Sequence, residues 1–142
     1  MVKKYITKSA SDTIALGERV ARRLKPGDVV FLVGELGSGK TTFAKGLCRG
    51  LGVRELVTSS SFVIVSEYKG RIRINHIDLY RLDERSSSLL PLNDYFIKDG
   101  ITIIEWADRI SDFARQNVSG FYVIFTTKKR NEREIRIEDI RH

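Results

Sequence analysis

The stretch "GELGSGKTT" runs from Gly34 to Thr42 and interrupts what is otherwise a strand followed by a helix. The apolar run "VVFLV" comes directly before it, and "TFAKGLCRGL" continues from its last residue. The pattern G-x-x-x-x-G-K-S/T matches at Gly34, Gly39, Lys40 and Thr41. A strand before such a loop and a helix after it form the usual context for phosphate binding. The sequence therefore predicts a polyphosphate site at this point.

The residue types of the loop suit the binding of phosphate groups. Glycines let the backbone adopt positive φ and bring its N–H groups close to phosphate oxygens. The following helix directs the positive end of its dipole to the same place. Lys40 can neutralise the outer phosphates, and the Thr41 hydroxyl is placed to bind Mg²⁺. We expect the whole loop to contact the nucleotide: Gly34, Glu35, Leu36, Gly37, Ser38, Gly39, Lys40, Thr41 and Thr42.

Two carboxylates are candidates for the metal site and for catalysis. Hydrolysis needs a carboxylate that holds the metal's water shell or orients the attacking water, at the carboxyl end of a neighbouring strand. Asp78 ends the apolar stretch "RIRINHID", and Glu105 ends "ITIIE". Both are therefore expected to emerge at the same sheet edge as the loop.

Other side chains are further candidates for the same site. The segment "VTSSSF" at residues 57–62 offers several hydroxyls, including that of Ser61, which could reach Mg²⁺ or the terminal phosphate. His76 and Trp106 flank the carboxylates in the sequence, and a structural role and a ligand role are equally open for each ring.

The alternation of apolar segments predicts an α/β fold in one domain at residues 1–142, with a mixed, mostly parallel sheet. We expect a phosphate-loop NTPase-like domain with helices on both faces and a C-terminal β-hairpin. Strands are predicted at residues 3–7, 28–33, 61–68, 71–80, 101–106, 120–127 and 134–140. Helices are predicted at residues 12–24, after the loop to about residue 51, at 83–90 and at 107–116.

The first predicted helix has an N-cap candidate in Ser9 or Ser11 and a stop signal in Pro26-Gly27. Four of its residues are expected to face the core: Ile14, Ala15, Val20 and Ala21. The strand pair predicted to turn at residues 69–70 has Ile72 and Ile74 on one face, with His76 as a further candidate for that face.

Composition suits a cytoplasmic globular protein. Hydrophobic residues make up 42% of the 142 residues and charged residues 30%, and the longest apolar runs are too short for a membrane helix. The single cysteine, Cys48, is expected to be a small core residue on the helix after the loop. The net charge of +7 is compatible with a polyanionic partner, but acidic residues are interleaved with the basic ones near the C-terminus.

These motifs in this order resemble the TsaE (YjeE) family, the small ATPase of bacterial tRNA threonylcarbamoyladenosine synthesis. The resemblance covers essentially the whole chain, and its specific parts are "HIDLYRL" and the "EW" of "IEWADRI". "GELGSGKTTFAKG", "TSSSFVIVSEY" and "NDYF" are similar to further family segments. The chain departs from the family pattern at Ser61, where threonine is usual, at Ser60, where proline is usual, and at Glu35, where aspartate is commoner.

The resemblance implies roles for the matching residues. Lys40 and Thr41 would bind phosphate and Mg²⁺, Glu105 would be the second metal-site group, and Asp78 would orient water or metal. Trp106 falls in the matching stretch and is grouped with the nucleotide-binding residues. Because Ser60 replaces a proline, the hydroxyl loop is expected to be less rigid than in the family.

The resemblance also implies an activity and partners. Family members hydrolyse ATP in concert with the TsaB–TsaD complex, so we expect a slow ATPase that the complex activates, with tRNA contact indirect or undecided. Two alternatives stay open: a small-molecule kinase, for which only Arg81 and Arg85 offer lid-like arginines, and a nucleotide-gated binding module without useful turnover. A GTPase is disfavoured because the N-K-x-D motif is absent.

Overall fold

The computed structural model describes residues 2–35, 37–55, 65–79, 96–107 and 118–141. They form one seven-stranded sheet and two helices. The strands are β1 Val2–Thr7, β2 Val29–Val33, β3 Val65–Lys69, β4 Arg73–Asp78, β5 Gly100–Glu105, β6 Gly120–Lys129 and β7 Glu132–Asp139. The helices are α1 Ala10–Ala21 and α2 Lys40–Gly50.

The sheet has the order β1-β7-β6-β2-β5-β4-β3 and is mixed. Strands β6, β2, β5 and β4 are parallel neighbours, whereas β3 and β7 run antiparallel to theirs. Strand β1 is antiparallel to β7 and therefore has the direction of the central strands. Five of these seven strands thus point the same way, which confirms the predicted mixed, mostly parallel sheet. The carboxyl ends of β2, β4 and β5 consequently meet at one edge.

Helix α1 begins two residues before its predicted range and ends three residues before the end of that range. Ser9 is the N-cap, and its Oγ accepts a hydrogen bond from the N–H of Asp12 at 3.1 Å. The helix ends at Ala21, before the residues expected to stop it.

The predicted core face of α1 is confirmed at Val20 and Ala21 and wrong at Ile14 and Ala15. Ala15 is exposed and Ile14 only half-buried, while the buried residues are Thr13, Leu16, Gly17, Val20 and Ala21. These have the i, i+3, i+4, i+7 spacing of a face packed on a neighbouring helix.

Helix α2 is the neighbour of α1, and the two helices pack through glycines. A Cβ at Gly46 would overlap the carbonyl oxygen of Ile14, and one at Gly17 would lie 2.9 Å from the N of Leu47. Both helices contribute to one apolar cluster on one face of the sheet, which includes Leu16, Phe43, Leu47, Val30 and Phe121. This packing lays the two helices side by side with both N-termini at the same end of the molecule.

The opposite face of the sheet carries a second, smaller apolar cluster. Phe31, Ile77 and Ile104 of the sheet are fully buried there, with Leu79 and Ala107 beside them. The helices predicted at 83–90 and 107–116 lie outside the described residues, apart from Ala107. The C-terminal hairpin is confirmed as β6 and β7, and the strand pair at 65–78 is confirmed as β3 and β4. Within the described ranges, no helix is long and apolar enough to cross a membrane.

Candidate functional site

The glycine-rich loop joins the end of β2 at Val33 to the first residue of α2, Lys40. Gly37 has φ of 77° and Gly39 has φ of 106°, a region that side chains with a Cβ rarely adopt. The N–H of Phe43 bonds to the carbonyl of Gly39 at 2.9 Å and closes the first turn of the helix. Two of the loop's glycines are therefore required by its backbone conformation.

Lys40 is held across the loop by backbone carbonyls and by an aromatic ring. Its Nζ donates to the carbonyl of Gly34 and, at 2.9 Å, to the carbonyl of Glu35. The same ammonium lies 3.9 Å from the centroid of the Trp106 ring. The residue is only 5% exposed, so its charge is kept in place by carbonyl dipoles and the indole face.

Thr41, Glu105 and His76 form a chain of hydrogen bonds. The Thr41 hydroxyl donates to Oε1 of Glu105 at 3.2 Å. The other carboxylate oxygen, Oε2, lies 2.6 Å from Nε2 of His76, and the two side chains are 2% and 3% exposed. Each oxygen of the buried carboxylate therefore has a partner, which fixes the orientation of the Glu105 side chain toward the start of α2.

Asp78 and Trp106 complete the strand-end side of the site. Asp78 pairs with Glu105 in the register of β4 and β5, and it is half-buried. Trp106 directly follows β5 and has φ of 60°, a strained conformation for a residue with a large side chain. Backbone strain of this kind persists only where the surroundings hold it, and it is often found at binding sites.

These residues surround one cavity of about 360 Å³. Among the residues predicted for the site, it is lined by Gly37, Gly39, Lys40, Thr41, Thr42, Asp78, Glu105 and Trp106. Gly34 and Glu35 contribute carbonyls to Lys40 instead, and Ser38 is buried beside Gly34. His76 lies behind Glu105 as its hydrogen-bond partner. Leu36, Ser61, Arg81 and Arg85 lie outside the described residues.

A family model matches this sequence over residues 7–135: the threonylcarbamoyl adenosine biosynthesis protein TsaE. The chain belongs to the TsaE family. Curated members named tRNA threonylcarbamoyladenosine biosynthesis protein TsaE are similar to it. That of Bacillus subtilis is 41% identical over 77% of this chain and 69% of its own length. That of Treponema pallidum is 39% identical over 76% and 81%, respectively.

The fold agrees with this family assignment. The crystal structure of Bacillus subtilis YdiB superposes with a TM-score of 0.80 at 31% identity and covers 99% of this chain and 86% of that one. The TsaE family takes part in tRNA threonylcarbamoyladenosine biosynthesis.

The structure adds a second wall to this TsaE-family site that sequence reasoning missed. Ser9, Ala10 and Thr13 of the α1 region and Asn131 and Arg133 of the β6–β7 hairpin also line the cavity. No sequence pattern linked the first helix or the C-terminal hairpin to the loop. Both elements lie beside the loop only because of the order of the strands in the sheet. The available signal was that Asn131 falls in the turn of the predicted hairpin.

Arg133 connects this second wall to the loop. Its Nη2 donates to the carbonyl of Gly37 at 3.1 Å. Its Nη1 lies 3.2 Å from each of three carbonyls in the hairpin turn, those of Lys129, Arg130 and Glu132. The guanidinium is thus occupied by backbone carbonyls and ties the hairpin to the loop.

Proposed function

We propose that this chain binds ATP with Mg²⁺ and hydrolyses it in support of tRNA threonylcarbamoyladenosine biosynthesis. The observation that carries the proposal is the arrangement of Lys40, Thr41 and Glu105 around one cavity at the start of α2. A lysine, a hydroxyl and a carboxylate at a helix N-terminus supply the groups that phosphoryl chemistry requires.

The loop side of the cavity supports the binding of a polyphosphate. The N-terminal turn of α2 offers N–H groups without intrahelical partners, and the helix dipole favours negative charge there. Lys40 is buried at the same place, where its charge is attenuated less by solvent than at the surface. An incoming phosphate oxygen would compete with the carbonyls of Gly34 and Glu35 for this ammonium.

The donor set beside the loop fits Mg²⁺. The Thr41 hydroxyl, Glu105 and Asp78 provide hard oxygen donors at one end of the cavity. Among the described residues, no group of three or more His, Cys, Asp and Glu side chains forms a site that could hold a metal alone. This matches the way Mg²⁺ is bound by one or two carboxylates together with phosphates. Held by Thr41, Glu105 and Asp78, the ion would neutralise the charge that develops on the phosphates during transfer.

The two carboxylates have different surroundings, which suit them to different roles in hydrolysis. Glu105 is buried and held by His76 and Thr41, so it is suited to a fixed position in the metal site. Asp78 is half-buried at the cavity wall and is suited to orienting the attacking water. The buried histidine acts as a positioning residue for Glu105.

We further propose that the TsaB–TsaD complex activates the hydrolysis. The arginine that lines the cavity in the described part of the chain, Arg133, is bonded to four backbone carbonyls. A positive charge on the transferring phosphate is worth about 10³ to 10⁵ in rate when a partner supplies it. Slow turnover by the isolated chain is therefore expected.

The test is release of labelled phosphate from ATP by the full chain, alone and with TsaB–TsaD. We expect label to pass to water, slow basal turnover, and a rise with the complex. Lys40→Met keeps the length of the side chain but removes its charge, and it should lower ATP affinity at least tenfold, since hydrogen bonds to charged groups contribute about 1.5–3 kcal/mol.

Lys45→Met on the exposed side of α2 is the matched control and should behave like the unaltered chain. ATP affinity that is unchanged in Lys40→Met would overturn the nucleotide site. Label that passes to a metabolite would indicate a kinase, and stoichiometric binding without release in the presence of the complex would indicate a binding module.

A further inference from the structure

Exposed cations gather at the end of the molecule that lies opposite the cavity. Helices α1 and α2 both end there, β4 and β5 begin there, and β3 turns into β4 there. Each of these segments contributes exposed lysine or arginine side chains, and we call the surface that they form the basic end. It consists of Arg22, Arg23, Lys25, Arg49, Arg54, Lys69, Arg71, Arg73 and Lys98.

Backbone contacts hold these segments of the chain together. The N–H of Gly27 bonds to the carbonyl of Gly100 at 2.8 Å, which brings the segment after α1 beside the start of β5. The N–H of Arg71 bonds to the carbonyl of Leu51, also at 2.8 Å, which places the β3–β4 turn against the end of α2. Gly50 packs against the last turn of α1, and β4 is the neighbour of β5. The basic end is therefore one continuous surface.

Acidic residues neutralise only part of this charge. Three of the arginines have a carboxylate partner at 3.3 to 3.6 Å: Arg23 with Asp139, Arg49 with Glu18, and Arg73 with Asp99. The remaining side chains of the basic end have no ion pair within the described ranges: Arg22, Lys25, Arg54, Lys69, Arg71 and Lys98. The exposed Glu55 accepts a hydrogen bond from the backbone N–H of Lys69 at 3.3 Å. The surface thus keeps an excess of positive charge.

The helix ends account for only some of these cations. Positive side chains near a helix C-terminus interact favourably with the helix dipole, which explains Arg22, Arg23 and Arg49. Lys69 ends β3, and Lys98 precedes β5, so neither of them serves a helix. Like charges on one surface repel one another and lower the stability of the fold. A polyanion bound there would offset this repulsion.

The chemistry of the basic end favours a nucleic-acid backbone as that polyanion. The large hydrophobic side chains that are exposed in the described part of the chain are Val2 and Ile6, and both lie on the edge strand β1. Protein interfaces and membrane-binding surfaces combine charge with apolar side chains, whereas contacts with phosphates need charge alone. The TsaE family takes part in tRNA threonylcarbamoyladenosine biosynthesis, which makes tRNA the relevant nucleic acid.

We propose that the basic end binds the phosphate backbone of tRNA. The interaction goes beyond the function proposed above and does not depend on ATP. The 11 residues of α2, which separate the cavity from the basic end, span about 16 Å, and no residue of the basic end lines the cavity. Nucleotide and tRNA can therefore bind at the same time. Because phosphate contacts carry no sequence information, we expect the binding to depend on salt rather than on base sequence.

The test measures binding of a fluorescently labelled, unmodified tRNA transcript to the full chain by anisotropy, between about 50 and 200 mM salt. Two double variants neutralise different sides of the basic end. One is Lys25→Ala with Lys98→Ala, and the other is Arg54→Ala with Lys69→Ala. Removing these side chains breaks no ion pair in the described part of the chain, so both variants should fold, which thermal unfolding checks.

Lys45→Ala with Lys129→Ala is the matched control. It also removes two positive charges, from exposed positions on α2 and on the β6–β7 hairpin outside the basic end. ATP affinity with Mg²⁺ is measured by calorimetry on the same samples. Polyglutamate and vesicles that contain phosphatidylserine replace the tRNA in parallel titrations, to represent an acidic protein and a membrane surface.

We expect each double variant of the basic end to bind tRNA at least about tenfold more weakly at the lowest salt. The slope of log K against log salt should become shallower by about 1 to 2, since two phosphate contacts are lost. The control should change tRNA affinity by less than about twofold, and ATP affinity should stay within about twofold in all variants.

Four outcomes would overturn binding of tRNA at the basic end. The first is absence of tRNA binding by the unaltered chain at the lowest salt. The second is an equal loss in the control, which would assign the effect to overall charge. The third and fourth are tighter binding to polyglutamate or to the vesicles than to tRNA. Failure of the unaltered chain to bind ATP while tRNA binds as expected would overturn the nucleotide site proposed above and leave the basic end supported.

Discussion

At the scale of single residues, Ser38 has the least favourable polar environment among the described residues of the loop. It is 2% exposed, and its Oγ has no hydrogen-bond partner among the described residues. The hydroxyl is packed so closely against Gly34 that a Cβ on that glycine would lie 2.6 Å from it. A buried hydroxyl without a partner costs free energy, and a methyl group at this position would not.

We therefore predict that Ser38→Ala raises the free energy of unfolding by about 1 kcal/mol, the lower end of the cost of a buried unsatisfied group. Ser9→Ala is the comparison, because it removes the N-cap of α1 and should lower stability by about 1 kcal/mol. Urea denaturation followed by circular dichroism measures both. A loss of stability in Ser38→Ala would show that its hydroxyl has a partner in solution.

The carboxylates give a second prediction at this scale. Glu105→Gln and Asp78→Asn preserve side-chain shape while removing charge that acts through metal and water. We expect the rate of hydrolysis to fall at least about 100-fold, because such groups stabilise the transition state more than they stabilise bound ATP. A loss of this size is typical of enzymes from which one transition-state contact is removed.

Steady-state phosphate release and calorimetry on the same samples separate rate from affinity. ATP affinity should change by less than about threefold in both variants, well under 1.4 kcal/mol. If affinity falls in proportion to rate, the residue concerned is a binding or structural group.

At the scale of elements, local sequence signals predicted the β2–loop–α2 unit of the candidate site. The contacts of this unit with other elements depend on packing and strand register. The sequence of β2, loop and α2 follows from an apolar run, glycines at 37 and 39, and a lysine at the first helical turn. The core face of α1 was misassigned at Ile14 and Ala15 because it is set by the glycines of α2 against which the helix packs. The partnership of His76 with Glu105 depends on the register of β4 and β5, which the composition of neither strand reveals.

The contact between α1 and α2 yields a prediction of its own. An alanine in the middle of a helix is ordinarily more stable than a glycine by about 1 kcal/mol. At Gly46, however, the added Cβ would overlap the carbonyl oxygen of Ile14 and lie 3.0 Å from its Cα. Overpacking against rigid backbone costs about 1–3 kcal/mol, so Gly46→Ala should lower the free energy of unfolding despite the better helix former.

Lys45→Ala, one residue earlier on the exposed side of α2, is the control and should have little effect. Both are measured by urea denaturation. Because the start of α1 lines the cavity, Gly46→Ala should also weaken ATP binding. A stability equal to or above that of the control would show that the two helices separate at little cost.

At the scale of the whole molecule, the cavity is lined by residues from distant parts of the chain. The α1 region, the loop, β4, β5 and the C-terminal hairpin each contribute to its lining. The sequence could identify the loop and the strand-end carboxylates because each carries a local motif. It could not place Asn131 or Arg133 there, because only the sheet order brings β6 and β7 beside the loop. A ligand that binds this cavity is therefore expected to stabilise the entire fold.

Cys48 provides a probe of that global stability. It lies in the core on α2, fully buried, as its sequence position predicted. Burial raises the pKa of its thiol from 9.0 to about 12, with smaller contributions from the negative charges of Glu55 and Glu105. At pH 8 the folded chain should therefore present no reactive thiolate, and labelling by a disulfide reagent should follow unfolding. ATP with Mg²⁺ should slow the labelling if it binds the folded chain.

The same pKa difference predicts how stability depends on pH. Below pH 9 the thiol holds its proton in both the folded and the unfolded chain, so it adds no pH dependence. As the pH rises from 9 toward 12, the unfolded chain releases a proton that the folded chain retains, and unfolding becomes more favourable. Cys48→Ala removes this contribution. The free energy of unfolding of the unaltered chain should therefore fall more steeply between pH 9 and pH 10.5 than that of Cys48→Ala, measured by urea denaturation in matched buffers. Parallel slopes in the two proteins would show that the thiol titrates alike in the folded and unfolded chains, and that this part of α2 is open to water.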